Sequence, residues 1–378
     1  MTEQKPSIVD MSATTPAAAA HDYNATEIHD TYAQQLEEVF LLRNPRFRFA
    51  PHHDAELNAF IAQHAQGKDL TQCGTWFYFP WNKKLVNYLP QAMHSEMRTG
   101  RNRNIITAEE QEKLYNATIA IAGLSVGSHA AWTIAIMGMA KTIKLADPDA
   151  ISGSNLNRIR ADVTTIGENK CDLMTRAIYQ INPYAEITSY REGITDENIT
   201  AFLNNPKPAV LVEEIDNLEM KIRLRLEAKK YGVPVIMATD NGDNIIVDVE
   251  RYDLDPSIEI FNGTIGHITL EEFKAFPPQE LPRLATKIAG ARLITSRMQQ
   301  SLLEVGRTLY SWPQPADAAT LAGVAIAYGV KRIITDAPIK SGKFEINLDA
   351  IFDDTYNHPD AIAARDAQRE SFLKTIGL

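Results

Sequence analysis

The chain has 378 residues, of which 44% are hydrophobic and 23% charged; this is ordinary globular usage and excludes a collagen-like, coiled-coil or wholly disordered chain. At roughly 150 residues per domain, that length predicts two or three structural units and a sizeable core. Lys and Arg number 38 against 48 Asp and Glu, and the net charge of −10 argues against general affinity for nucleic acid or anionic lipid.

In chain order, residues 1–29 are rich in Ala, Thr, Ser and Pro and show little periodicity, so they read as a disordered tail. They lack the charged leader and apolar stretch of a secretory signal. Residues 30–97 read as an accessory domain or arm, with helices over 31–42 and 55–65 and an aromatic strand, TWFYF, over 75–79. In RTGRNRNIITAEEQEKL, Thr107 and Glu110 form a capping box that opens a helix. Over 98–250, short aliphatic runs alternate with helical segments, which is the signature of βαβ units. Strands are predicted at 118–122, 142–146, 186–190, 209–212 and 233–238, with helices near 127–140, 168–181 and 217–231. The fold class expected is therefore α/β, a Rossmann-like doubly wound and mostly parallel sheet, with a small N-terminal accessory domain. Residues 117–140 carry no formal charge and are long enough to imitate a membrane span, but Gly123, Ser125, Gly127, Ser128 and His129 interrupt them. A strand, a tight turn and a buried helix account for that stretch better, so no membrane partner is expected. Residues 251–378 read as an irregular α+β part completing the core, with a helix over 317–335 and an edge strand near 343–349.

Several polar residues fall where such a sheet collects ligands. IAIAGLSVGSHAA is a strand running into a small-residue turn and a helix, whose first backbone amides can hold a phosphate. Measured against G-x-G-x-x-G, the matching positions are Gly123, Ser125 and Ser128, so a plain strand-to-helix turn stays open as an alternative. Asp147 ends the next strand, about 20 residues past Gly127, near the spacing of an acid that binds ribose hydroxyls. Asn155, Arg158 and Lys170 would enter the same crevice and offer cations to an anionic ligand. Asp216, after the strand AVLVEEID, would suit magnesium shared with phosphate oxygens, while Glu213 and Glu214 are expected to pair with neighbouring helices. Cys73 and Cys171 are too few for a disulfide framework or a four-thiolate site, which fits a reducing, cytoplasmic setting.

The order GLSVGS, ADPDAISGSNLNR, Lys170, EEIDN resembles the MoeB/ThiF and ubiquitin-activating-enzyme superfamily of adenylyltransferases over about residues 101–250. That resemblance implies ATP and Mg2+ as cofactors, with Asp147 on the ribose, Asn155, Arg158 and Lys170 on the phosphates, and Asp216 on the metal. It also implies a homodimer in which Arg103, or the nearby Arg101, reaches ATP from the partner subunit. The chain departs from the pattern in the serines of the turn and in Ile159, where relatives carry Gln. The absence of CxxC pairs removes the expectation of structural zinc. WFYFPW, VDVERYDL and SWPQ suggest a bacterial subgroup with its own extensions, similar in size and layout to peptide-modifying members of the pantocin A type. The function expected is adenylation of a carboxylate on a peptide or small protein, without an enzyme thioester, and residues 30–97 would clamp the peptide or stabilise the dimer. Three alternatives stay open: activation of a ubiquitin-like sulfur-carrier protein, a nicotinamide-dependent oxidoreductase, and a non-catalytic nucleotide-gated interaction module.

Overall fold

The computed structural model describes residues 4–49 and 52–378 and divides into two compact units. The first comprises the chain up to Tyr115 together with Ala135–Met139 and Thr175–Ala185; the second comprises Asn116–Ile134, Ala140–Met174 and Glu186–Leu378. The expected boundary near residue 97 therefore does not coincide with a division in the structure.

In the first unit, β1 (Ser7–Val9), β2 (Glu27–Asp30), β3 (Thr75–Phe79) and β4 (Lys84–Tyr88) form a sheet in the order β1-β3-β4-β2. The disordered tail expected over 1–29 is thus corrected from Ser7 onward. Val9, Met11, Ala19 and Ala20 share one buried cluster with Trp76 and Leu85, so the segment's few apolar groups have somewhere to go. Its helix, Pro16–Asp22, starts on Thr15, whose side chain accepts from the Ala18 amide at 3.3 Å, and Pro fits the first turn because its missing N–H is not needed there. Composition hid this because small alanines bury little area each and show no periodic stripe.

The second unit is built on β5 (Thr118–Ala122), β6 (Thr142–Ala146), β7 (Glu186–Tyr190), β8 (Val210–Glu213), β9 (Val235–Asn241), β10 (Asn244–Glu250) and β11 (Gly342–Ile346). Their order is β11-β10-β9-β8-β5-β6-β7; the pairs from β9 to β7 are parallel, and β9-β10 and β10-β11 are antiparallel. The sheet is Rossmann-like and mostly parallel. Its central strands are aliphatic on both faces, as a sheet covered on two sides requires: Ile119, Ala120, Ile121, Val210, Leu211 and Val212 are fully buried. The stretch that imitates a membrane span is β5, a turn and the helix Val126–Ile136, and among the described residues no helix is long and apolar enough to cross a membrane.

The helix Leu218–Tyr231 carries Lys221 and Arg225 inward to Glu213 at the end of β8, as expected for that carboxylate. Arg225 also donates to Glu250 at 2.7 Å, and its guanidinium lies 4.0 Å from the centre of the Phe261 ring. Satisfying every member is what makes so buried a charge network tolerable.

Candidate functional site

The strand order reverses around β5, whose neighbours are β6 and β8, and a crevice outside the carboxyl ends of parallel strands is where doubly wound sheets bind ligands. The turn after β5 is shaped by Gly123. Its φ of +88° lies in the left-handed region, and a Cβ there would stand 2.3 Å from the Glu214 carbonyl oxygen, so no other residue fits. The Leu124 amide donates to Asp147 Oδ2 at 2.6 Å, and Ser128 Oγ donates to the Ser125 carbonyl at 2.7 Å. The two serines that depart from the glycine pattern thus bond to each other across the start of the helix Val126–Ile136.

A cleft of about 570 Å³ lies at these strand ends, lined by Gly123, Ser125, Asp147, Asp149, Lys170, Glu214 and Asp216 among others. Asp147, at the end of β6, is 5% exposed; its two oxygens accept from the Leu124 and Asp149 amides, and Lys170 Nζ stands 3.5 Å away. Burial pushes its carboxyl above the usual range, opposed by the Lys170 charge and the two amides. Lys170 opens the helix Lys170–Ile181 and also donates to Asp149 at 2.8 Å, so one ammonium serves two carboxylates. Arg158 does not line the cleft itself, but its Nε donates at 3.1 Å to Ser125 Oγ, which does. Burial lowers its pKa, while the charges of Asp240 and Asp216 act the other way.

Gly123, Ser125, Asp147, Lys170 and Asp216 are therefore brought together, with Arg158 joined to them through Ser125. Three other sequence-predicted residues are not. Asn155 is absorbed in the turn Gly153–Asn157, its Oδ1 accepting from the Ser152 amide at 3.0 Å, because a short polar side chain satisfies nearby backbone first. Gly127 lies against Ile121 and the Glu214 side chain within the helix and does not line the cleft. Arg103 belongs to the first unit, where it stands 3.5 Å from Glu96.

The sequence does not single out Asp149 or Asp240, and it assigns Glu214 to a neighbouring helix. Glu214 accepts from the Ala238 amide at 2.7 Å rather than pairing with a helix, and burial raises its pKa well above the usual carboxylate value. Asp240 is the penultimate residue of β9, whereas Asp147 follows the last residue of β6. Burial pushes Asp240 up to about 7, against the pull of Arg158. Both thiols are held protonated by burial: Cys171 is fully buried and pushed up to about 12, with Sγ directed to the Asp147 and Tyr190 carbonyls, and Cys73 is raised as well. Among the described residues, no group of three or more His, Cys, Asp or Glu is placed to hold a metal ion. Asp216, exposed at the cleft, offers a lone carboxylate, which suits a hard divalent ion only if phosphate oxygens supply further ligands.

Residues 99–242 match the model of the ThiF family. The chain is 34% identical over 327 residues to the uncharacterized protein MT1398 of Mycobacterium tuberculosis, an alignment covering 86% of this chain and 42% of that protein. It is 32% identical over 168 residues to the tRNA threonylcarbamoyladenosine dehydratase of Bacillus subtilis, covering 42% of this chain and 65% of the relative. The chain thus spans less than two thirds of either relative. The crystal structure of PaaA superposes with a TM-score of 0.48 at 18% identity, covering 82% of this chain and 93% of that one.

Proposed function

We propose, from the match of residues 99–242 to the ThiF family, that the chain is an ATP-dependent adenylyltransferase of the ThiF/MoeB type acting on a carboxylate of a peptide or small protein. The observation that carries this reading is the meeting of the Gly123 turn, Asp147, Lys170 and Asp216 at one cleft of the parallel sheet, with Arg158 bonded to Ser125 on its wall. An isolated Arg or Lys would be a solvated surface charge; a buried Lys170 and a half-buried Arg158 beside a glycine-bounded turn suit a polyphosphate.

In this reading Asp147, already fixed by two backbone amides, binds the ribose hydroxyls. Arg158 and Lys170 hold phosphates, Lys170 exchanging its Asp149 contact for the ligand. Asn155 shapes the turn that presents Arg158, whose backbone amide donates to the Asn155 carbonyl at 3.0 Å. Asp216 holds Mg2+, which neutralises phosphate charge when bound. Arg103 completes the site from a second copy of the chain. A substrate carboxylate is ionised at neutral pH and needs no general base to attack the α-phosphorus, so positioning and charge stabilisation of the departing pyrophosphate suffice. The resulting acyl-adenylate then meets a nucleophile and AMP leaves. Because neither cysteine is in a setting that favours a thiolate, the substrate's own nucleophile is the acceptor, which suits maturation of a ribosomally made peptide.

The expected result with the full chain, ATP, Mg2+ and the cognate peptide is release of pyrophosphate and AMP and loss of water from the peptide by mass spectrometry. Asp216→Ala or Arg158→Ala should abolish release without altering circular dichroism, and a double Cys73/Cys171 replacement should retain it. Release of ADP and phosphate would overturn the reading. A second reading rests on the relatives named tRNA threonylcarbamoyladenosine dehydratase, and would place the carboxylate on a tRNA. The net charge of −10 weighs against it, and a tRNA-dependent release of AMP would decide for it.

A further inference from the structure

A second, smaller pocket of about 250 Å³ adjoins the cleft, sharing Ser125, Glu214, Ile215 and Asp216 with it. Asp240, Trp312 and Gln314 complete its walls. Asp240 is 2% exposed; neither of its carboxylate oxygens makes a hydrogen bond of ordinary length, and the nearby Gln314 side chain is the hydrogen-bonding group that acts on them. Buried polar atoms are almost always paired, so a carboxylate left open toward a pocket points to a ligand that supplies donors.

The surroundings narrow the ligand's chemistry. The charges that act on Asp240 are Arg158, Asp216, Asp317 from the helix Ala316–Ile334, and Glu214 beside β9; Lys221, which also lines the pocket, is paired with Glu213 at 3.0 Å. Arg158 makes no ion pair with Asp240 and spends its donors on Ser125, Ser154 and Asn157. Glu214 is tied to the Ala238 amide. The balance favours a cation. Mg2+ is already assigned to Asp216 with the phosphate oxygens, so the ligand read for Asp240 is an organic cation that brings its own N–H donors. Trp312, its indole anchored by donation to the Asp240 carbonyl at 3.1 Å, gives the pocket an aromatic wall on which an alkyl stem can pack.

We propose that this pocket receives the acceptor as a primary amine, docked as its ammonium against Asp240: the Asp240 carboxylate takes a proton, the freed amine nitrogen bonds to the acyl carbon, and the bond from that carbon to the AMP oxygen breaks as AMP leaves. The inference rests on the adenylation reading, because the acceptor must stand beside the acyl-adenylate, and it names the acceptor's class: an amine, in preference to a thiol or an alcohol.

The test uses the full chain with ATP and Mg2+ and n-butylammonium chloride as probe, followed by ligand-observed NMR titration with n-butanol and sodium butyrate as controls. The ammonium should bind and both controls should fail at the same concentration. Asp240→Asn should weaken butylammonium at least about tenfold, since truncating one partner of a buried charge pair is costly, while ATP affinity is unchanged. Equal binding of butanol, or undiminished ammonium binding in Asp240→Asn, would overturn the assignment. If Asp240→Asn does not fold, the discrimination among the three probes by the natural protein decides, with Asp317→Asn expected to give a smaller loss. Failure of ATP itself to bind would instead sink the adenylation reading, so the two failures are distinguishable.

Discussion

Gly123 is the residue at which backbone geometry and ligand chemistry meet. Its positive φ and the Glu214 carbonyl 2.3 Å from any added Cβ mean that Gly123→Ala must move either the turn or the end of β8. Either movement displaces the Leu124 amide from Asp147. We expect Gly123→Ala to lower stability by about 1–3 kcal/mol, the usual cost of a strained backbone site, and to abolish ATP binding; urea denaturation and calorimetric titration measure the two separately. Retained ATP affinity at reduced stability would show that the turn is structural only. The same residue shows what was legible in the sequence: a glycine after an aliphatic run signals a strand-to-helix turn, and a strand-ending acid such as Asp147 signals the crevice. Asn155 was misjudged because its side chain satisfies its own turn, and Asp240 was passed over because nothing in ATDNGD announces burial. Burial of a single polar side chain depends on what other elements lay over it.

Whole elements were easier to read than single side chains. The strands predicted over 118–122, 142–146 and 186–190 match β5, β6 and β7 to the residue: β5 and β6 are short buried aliphatic runs bounded by turn residues, whereas β7, EITSY, is a partly exposed edge strand with apolar and polar residues mixed. The capping box is present as predicted, the Thr107 amide donating to Glu110 at 2.8 Å and the Glu110 amide to Thr107 Oγ1 at 3.2 Å. Three-residue β1 and fully exposed β2 escaped notice because they owe their existence to pairing with β3 and β4, not to a pattern of their own. The helix Gln91–Thr99 carries a further consequence, in His94. This ring is fully buried between the Tyr88 hydroxyl at 3.0 Å and Asn182 Oδ1 at 3.1 Å, and burial together with the Arg98 charge pushes its pKa from 6.5 down to about 3. Between those two values the unfolded chain binds a proton that the folded chain refuses, so stability must fall as pH drops from 6.5 toward 3. Thermal unfolding across that window should show a steeper decline for the natural protein than for His94→Gln. Equal slopes would mean that His94 is protonated in the fold.

At the scale of the molecule, the candidate residues are divided between the two units: Arg103 lies in the first, and Asp147, Arg158, Lys170 and Asp216 in the second. If Arg103 serves the cleft of another copy, as the proposed homodimer requires, then Arg103→Ala and Asp216→Ala disable different copies' contributions to one site. Each variant alone should release no pyrophosphate. Mixed in equal amounts and allowed to exchange subunits, they should form a hybrid in which one site draws an intact Arg103 and an intact Asp216 from different chains. Random pairing makes half the dimers hybrid, each with one competent site of two, so about a quarter of the natural activity should return. If Arg103 acts within its own chain, the hybrid has no intact site and mixing restores nothing. Arg101→Ala in the same assay separates the two neighbouring arginines, because only the one that reaches ATP yields an inactive parent. Light scattering on the unmixed protein supplies the remaining condition, a mass of two chains, without which complementation has no physical route.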